Sequence, residues 1–368
     1  MKKEQLISFG DLAVEKRKIK SEFFNQINKL IDWRLISNII NKHYSKGESV
    51  SGAPAYDGLL LFKMSLLQTW YGLSDYEVED QVNDRISFSR FVGLSMDQKS
   101  PDHSVLSRFR THMTEKNAYE KLFKALNKQL VKHGIIIKTG AMIDASVTST
   151  PLCPKGSKEY EIVQDRAEEP RSEEEIAKEE ASFKFIQKTQ PGVDREARWL
   201  KKGKKLYYGY KQHVVTETQG MILGVLTTTA NVNEISNLQE VLAAAELPER
   251  IPVFADKGYA SEANRKQLFK MKLADRIQRK ARKGKSLKSW EKKLNKIIGK
   301  TRYKIERVFG SIKRWFSAGL ARYRGLAKMH TQHLLQATAY NLYRAPGILM
   351  SKNEKLSVAI SSTPIKNK

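Results

Sequence analysis

The chain has 368 residues, 40% hydrophobic and 29% charged, enough for a sizeable core in two or three domains. Lysine and arginine number 66 against 40 acids, a formal charge of +26, and this excess calls for a polyanionic partner, nucleic acid first. The single cysteine, Cys153, excludes an intrachain disulfide and a cysteine zinc site. No apolar stretch reaches membrane-spanning length and the start lacks a signal-peptide core, so a cytoplasmic protein without a membrane partner is expected.

The first third reads as helical, and residues 1–130 are expected to form an all-α, helix-turn-helix-like DNA-binding domain. The apolar run "YDGLLLFKMSLLQTWY" ends at "GLS", and Ser74 and Glu77 stand at capping-box spacing. "SPDHSVLSRFRTHM" places Ser100 as an N-cap and Pro101 at the first helical position. Two short helices thus flank "GLSMDQKS", with Arg108 and Arg110 on the second as candidate DNA contacts.

Residues 131–345 change character. "GIIIKTGAMIDASVTST" is β-branched and apolar around Asp144, a strand or strand pair. A charged insertion at about 151–205 follows, acid-rich from Glu159 to Glu180 and expected to be partly helical; "KKGKK" at 201–205 reads as loop. "KKLYYGYKQHVVTET" and "GMILGVLTTTA" form a hairpin joined at Gln219-Gly220, and "NVNEISNLQEVLAAAEL" a helix. "IPVFA" is a strand that ends on Asp256, with a helix from about Ser261 and a further strand at "ADRIQRK". Seven basic residues and no acid lie between Arg276 and Lys288; Arg279, Lys280, Arg282 and Lys283 are candidate phosphate contacts. "TRYKIERVFGSIKRWF" repeats its apolar residues at helical spacing. Residues 346–368 read as a polar, disordered tail.

Strand, hairpin, helix, strand, helix, strand, helix is the order of an RNase H-like fold: an α/β domain with a mixed central sheet and flanking helices. In that order Asp144 lies on the first strand, Asp256 at the end of the fourth, which is its neighbour, and Glu306 on the late helix packed across their edge. Three carboxylates from distant sequence then meet. Magnesium prefers such hard oxygen donors, and two ions can clamp a phosphodiester. On the late helix Arg302 lies about 40° and Lys313 about 20° from Glu306, so both cations share its face. His213 reads as packing or support beside the site, and His330 with His333 as a surface or DNA-facing pair rather than a zinc site. No Gly-rich phosphate loop is present, so no nucleotide cofactor is expected.

"MIDASVTS", "YYGYKQHVV", "TTANVNE", "ADKGYAS" and "RYKIERVFGSIKRW" resemble successive blocks of the DDE transposases of bacterial insertion sequences, in the group typified by insertion sequence five. "YGLSDYEVEDQVNDRISFSRFVGL" and "SPDHSVLSRFR" resemble the N-terminal helical domain of the same group. The resemblance spans about residues 40 to 345. It implies Asp144, Asp256 and Glu306 as catalytic metal ligands, with two Mg2+ ions that Mn2+ can replace. It implies Arg302 and Lys313 as the basic members of a late signature whose tyrosine is here replaced by Gly299. It further implies cleavage of double-stranded DNA at the inverted-repeat ends of an element, joining of the 3′ ends to target DNA, and a homodimer or larger assembly on that DNA. Two other readings fit part of the pattern: a transposase-derived DNA-binding protein that does not cut, and a standalone RNase H-like nuclease.

Overall fold

The computed structural model of the protein describes residues 22–44, 56–95, 97–156, 160–164, 183–187, 190–281 and 284–361. Helices α1 (Glu22–Leu30), α2 (Trp33–His43), α3 (Gly58–Tyr71), α4 (Asp75–Asp84), α5 (Ile86–Val92), α6 (His103–Glu115) and α7 (Ala118–Lys132) come first. Helix α3 is apolar on all sides and is buried on all sides; Asp57 caps its start and Gly72, at φ 71°, its end. The capping box of α4 forms as expected, Glu77 N to Ser74 Oγ at 3.1 Å and Ser74 N to Glu77 Oε2 at 2.7 Å. Helix α6 starts later than the expected Ser100 cap. Asp102 takes that place by accepting from the amides of Ser104 and Val105, and Ser100 Oγ donates to Pro101 O instead.

The central sheet holds β1 (Ala141–Ser149), β4 (Arg198–Lys202), β5 (Lys205–Glu217), β6 (Ile222–Thr229), β7 (Pro252–Ala255) and β8 (Ala274–Ile277). Their order is β4-β5-β1-β7-β8, with β6 also paired to β5. Strand β1 runs antiparallel to β5 and parallel to β7, and β7 runs parallel to β8, so the sheet is mixed. The first and fourth strands of the expected order are therefore neighbours. Between β6 and β7 stand a 3-10 turn (Glu234–Asn237) and α8 (Leu238–Ala244); a second 3-10 turn (Lys257–Tyr259) and α9 (Glu262–Lys270) follow β7. Helices α10 (Ser289–Trp315) and α11 (Leu326–Ser361) close the chain. This is the mixed α/β arrangement expected of an RNase H-like domain.

Three expectations change. The described ends of the acidic insertion are strands, β2 (Tyr160–Gln164) and β3 (Phe183–Gln187), paired antiparallel; residues 165–182 lie outside the described residues. Ile162 and Val163 at one end and Phe183, Phe185 and Ile186 at the other are the residue types that strands favour, and the helical part of the expectation falls on the residues between. The "KKGKK" segment is the turn of a β4–β5 hairpin, tightened by Gly203 at φ 62°. The expected tail is helical as far as it is described: α11 runs through Pro346 to Ser361, and 362–368 lie outside the described residues. Residues 331–342 of that helix are buried, and this anchorage carries the chain past the proline.

One hydrophobic core runs from Phe24 to Ala345, and α11 crosses it. Several of its buried polar side chains find partners outside the helix: Thr331 in Thr114 of α6, Gln336 in Phe316 O, and Asn341 in the Ile222 amide and carbonyl. Trp70 of α3 donates to Ala339 O at 2.9 Å. His333 is enclosed between Thr148 Oγ1 at 3.0 Å and Thr227 Oγ1 at 2.7 Å, and His330 also reaches Thr227. His333 is thus interior and His330 half-buried against the same threonine, so the pair is not an exposed, DNA-facing one. Burial holds the imidazoles of His213 and His333 down to about 3.

Arg110, expected to face DNA, points inward at 5% exposure. Its guanidinium pairs with Asp75 at 2.6 Å and lies over the Tyr323 ring at 4.3 Å, which leaves no face for phosphate. Arg322 donates to the free carbonyls of Gly72 and Leu73 at the end of α3. The N-terminal helices are thereby tied to the segment between α10 and α11.

Two stability measurements follow. Arg110→Ala leaves Asp75 without its partner and is expected to cost roughly 3–5 kcal/mol in a denaturant titration, against less than about 0.5 kcal/mol for the exposed Arg108→Ala. Neutral in the fold, His213 and His333 take up protons only on unfolding. Their contribution is complete above pH 6.5 and is lost as pH falls from there toward about 3. Melting curves are expected to show a loss on the order of 2 kcal/mol per histidine at pH 5, and His333→Gln to flatten that dependence.

Candidate active site

Asp144 sits at the middle of β1, opposite Val214 of β5, after the buried Ala141–Ile143 run. Asp256 is the first residue beyond β7, whose Phe254 pairs with Met142 of β1. The two carboxylates therefore come from adjacent parallel strands. Asp256 caps the turn that follows by accepting from Gly258 N at 2.6 Å. A Cβ at position 258 would stand 2.7 Å from Asp256 Oδ1, so a side chain there would displace this carboxylate from its capping bond. Glu306 projects from α10, which buries Ile305, Val308, Phe309 and Ile312 and packs against β1 and β7.

Arg302 joins the acids. Its Nη1 donates to Asp144 Oδ2 at 2.7 Å and its Nη2 to Glu306 Oε1 at 2.8 Å. The i,i+4 pair expected on the helix is thus half of a three-residue bridge from helix to sheet. Asp144 also accepts from Ala145 N at 2.8 Å. Burial pushes the Asp144 carboxyl above its ordinary range; Arg302 and the Ala145 amide pull it down, and Asp256 and Glu234 push it up again.

The other basic residues divide. Lys313 is exposed on the Glu306 side of α10, and partial burial together with the nearby Lys202 of the β4–β5 hairpin lowers its ammonium pKa. That hairpin also presents Arg198, Lys201, Lys204 and Lys205 to solvent. Arg108 is exposed on α6, close to Ser104. Arg279 is half-buried near Asp275 and its backbone is bracketed by Asn295 of α10; Lys280 beside it is exposed. Arg282 and Lys283 lie outside the described residues.

As they stand, no three Asp, Glu, His or Cys side chains among the described residues are close enough to hold a metal ion. The charge between Asp144 and Glu306 is the Arg302 guanidinium. In kind, the donors fit a hard divalent cation: three carboxylates, the oxygen ligands such an ion prefers. The buried Tyr259 hydroxyl, without a hydrogen-bond partner and in the field of Glu234, Asp144 and Asp256, marks the same space as polar.

Glu234, Lys211 and Tyr259 were not among the residues expected at the site. Glu234 reads in the sequence as an acid in the first turn of a helix, where the macrodipole favours one anyway. Lys211 reads as one lysine among many, and Tyr259 as a turn residue. Only the proximity of "TTANVNE" to "ADKGYAS" in space distinguishes them.

The family described as "Transposase DDE domain" matches residues 183–342, which include Asp256, Arg302 and Glu306 but not Asp144. The family described as "Transposase domain (DUF772)" matches residues 12–112. The transposase for insertion sequence element IS1106 of Neisseria meningitidis serogroup B is 34% identical over 240 residues, 65% of this chain and 76% of that protein. Among solved structures, the piggyBac transposase synaptic complex with hairpin DNA aligns over 94% of this chain and 84% of that one, at 10% identity and a TM-score of 0.35, too low to define a shared fold. With the helical match over residues 12–112, the DDE match over 183–342 and that relative, the chain belongs to the DDE transposases of bacterial insertion sequences.

Proposed function

We propose that the protein cuts DNA at the inverted-repeat ends of its own element and joins the freed 3′ ends to target DNA. The observation that supports this most directly is the bridge from Asp144 through Arg302 to Glu306, with Asp256 on the adjoining strand. A structural ion pair has no need of acids brought from a central strand, a neighbouring strand end and a late helix. Asp144, Asp256 and Glu306 would hold two Mg2+ ions, which when bound supply Lewis acidity and offset the charge on the attacking and leaving oxygens.

The chain's own groups then have distinct work. Strand pairing fixes Asp144 and Asp256 relative to each other, and the apolar seam of α10 fixes Glu306. Arg302 keeps the acids neutralised in the metal-free protein, and its planar fork suits a phosphate as well as a carboxylate. Lys313 and the β4–β5 hairpin offer further cations on the approach to the acids. Water is the nucleophile for cleavage and the 3′ hydroxyl for joining, so no residue forms a covalent link to DNA. Two ends must be joined, and the protein therefore acts on DNA as a homodimer or larger assembly. No helix among the described residues is long and apolar enough to cross a membrane.

The test uses DNA spanning the element and its flanks, with and without Mg2+. Asp144→Asn, Asp256→Asn and Glu306→Gln are each expected to lower nicking and joining by about 10³-fold or more while retaining DNA binding. Full activity in any one of them overturns the assignment. Lys313→Ala and Lys202→Ala are expected to weaken binding to all sequences alike and to reduce the salt slope by about 1 each. Unchanged binding across a salt titration would remove those lysines from the DNA path.

A further inference from the structure

Glu234 opens the 3-10 turn after β6, and that turn packs on the one that follows Asp256. Asn264 clamps the two together by donating to Ile235 O at 3.0 Å and to Tyr259 O at 2.9 Å. A Cβ placed at Gly258 would stand 2.7 Å from Asp256 Oδ1 and 3.6 Å from Glu234 Oε2, so the two carboxylates border one small space. Opposite Glu234 stands Lys211 of β5, a buried lysine. Its ammonium lies 2.8 Å from Val232 O and 3.5 Å from Glu234 Oε1. A lysine this enclosed needs a counter-charge, and Glu234 supplies one.

Tyr259 is an independent sign of a ligand. Its ring is fully enclosed and its hydroxyl has no partner, although Glu234, Asp144 and Asp256 all act on it. Buried hydroxyls are almost always hydrogen-bonded, so one left without a partner in the field of three carboxylates is the polar group that a ligand or water between them would satisfy.

We propose that Glu234 is a fourth carboxylate of the metal centre, beside Asp256, with Lys211 as its counter-ion when the cation is absent. The proposal rests on the reading of Asp144, Asp256 and Glu306 as metal ligands. Each partner has a definite role. The Asn264 clamp holds the Glu234 turn against the Asp256 turn, and the bare Gly258 leaves the space between the carboxylates open. Lys211 competes with the cation for Glu234, so the two substitutions act in opposite directions.

The probe is Mn2+, titrated into the full-length protein without DNA and followed by the electron paramagnetic resonance signal of the free ion. Glu234→Gln is expected to weaken Mn2+ binding about tenfold, and Lys211→Met to tighten it. Melting curves without metal establish that each variant is folded. Should Glu234→Gln not fold, Glu234→Asp, with its carboxylate drawn back by one methylene, is expected to shift binding the same way by less. A Glu234→Gln curve that overlays the wild type while Asp256→Asn weakens binding overturns the role of Glu234 and leaves the three-acid site standing. An Asp256→Asn curve that overlays the wild type overturns that site and this proposal with it. Equal weakening in Glu234→Gln and Lys211→Met would show a purely structural pair and would also overturn it.

Discussion

A carboxylate enclosed in the middle of a sheet is unstable as an anion unless a cation reaches it. Asp144 meets that constraint through Arg302, which comes from a helix more than 150 residues later in the chain. The placement of α10 follows from it. The helix has to bury Ile305, Val308 and Ile312 and still present Arg302 and Glu306 to the sheet, and residues three and four apart do this on one cylinder. Were α10 rotated by one residue, about 100°, the guanidinium would leave the acid and the apolar seam would face water. Charge neutralisation and hydrophobic burial therefore select the same orientation.

The scaffold around this bridge is stabilised by polar contacts inside the core as much as by apolar area. Helix α11 carries Thr331, His333, Gln336 and Asn341 into the interior, and each engages a different element. Apolar side chains at those positions would pack but would not specify register, whereas an unmatched amide or imidazole is costly. The sheet, α6 and the end of α10 are thereby held in one relation to α11. The Arg110–Asp75 pair and the Arg322 contacts to α3 extend that relation to the N-terminal helices. The family's helical region is accordingly packed on the same core as the central sheet.

The elements that position the acids were legible because each rests on a local pattern. A β-branched run ending in an acid and a helix with apolar residues at 3, 4 and 7 are short-range signals, and strand pairing follows from element order. Arg110 was not legible. On its own helix it resembles Arg108, and its burial is decided by Asp75 and Tyr323, which are 35 and 213 positions away. His330 and His333 looked exposed for the same reason, since their partners Thr148 and Thr227 lie on two strands far from them in the chain. The last helix was missed because Pro346 and a polar end argue locally against it, whereas the buried face before the proline is a tertiary fact.

The protein is strongly cationic overall, yet its candidate centre is anionic, and the two facts belong together. On the proposed function, a phosphodiester would be repelled by Asp144, Asp256, Glu234 and Glu306 if they faced it unneutralised. On the same function, exposed cations on the β4–β5 hairpin and on α10 would bring the backbone close, where their attraction depends on salt and not on sequence. Inside, Arg302 and Lys211 balance the acids one guanidinium and one ammonium at a time. A divalent ion brings more charge than either and coordinates oxygens of protein and phosphate together. On that function the arrangement would make nucleic-acid capture independent of the acids, and chemistry conditional on a cation that the acids hold.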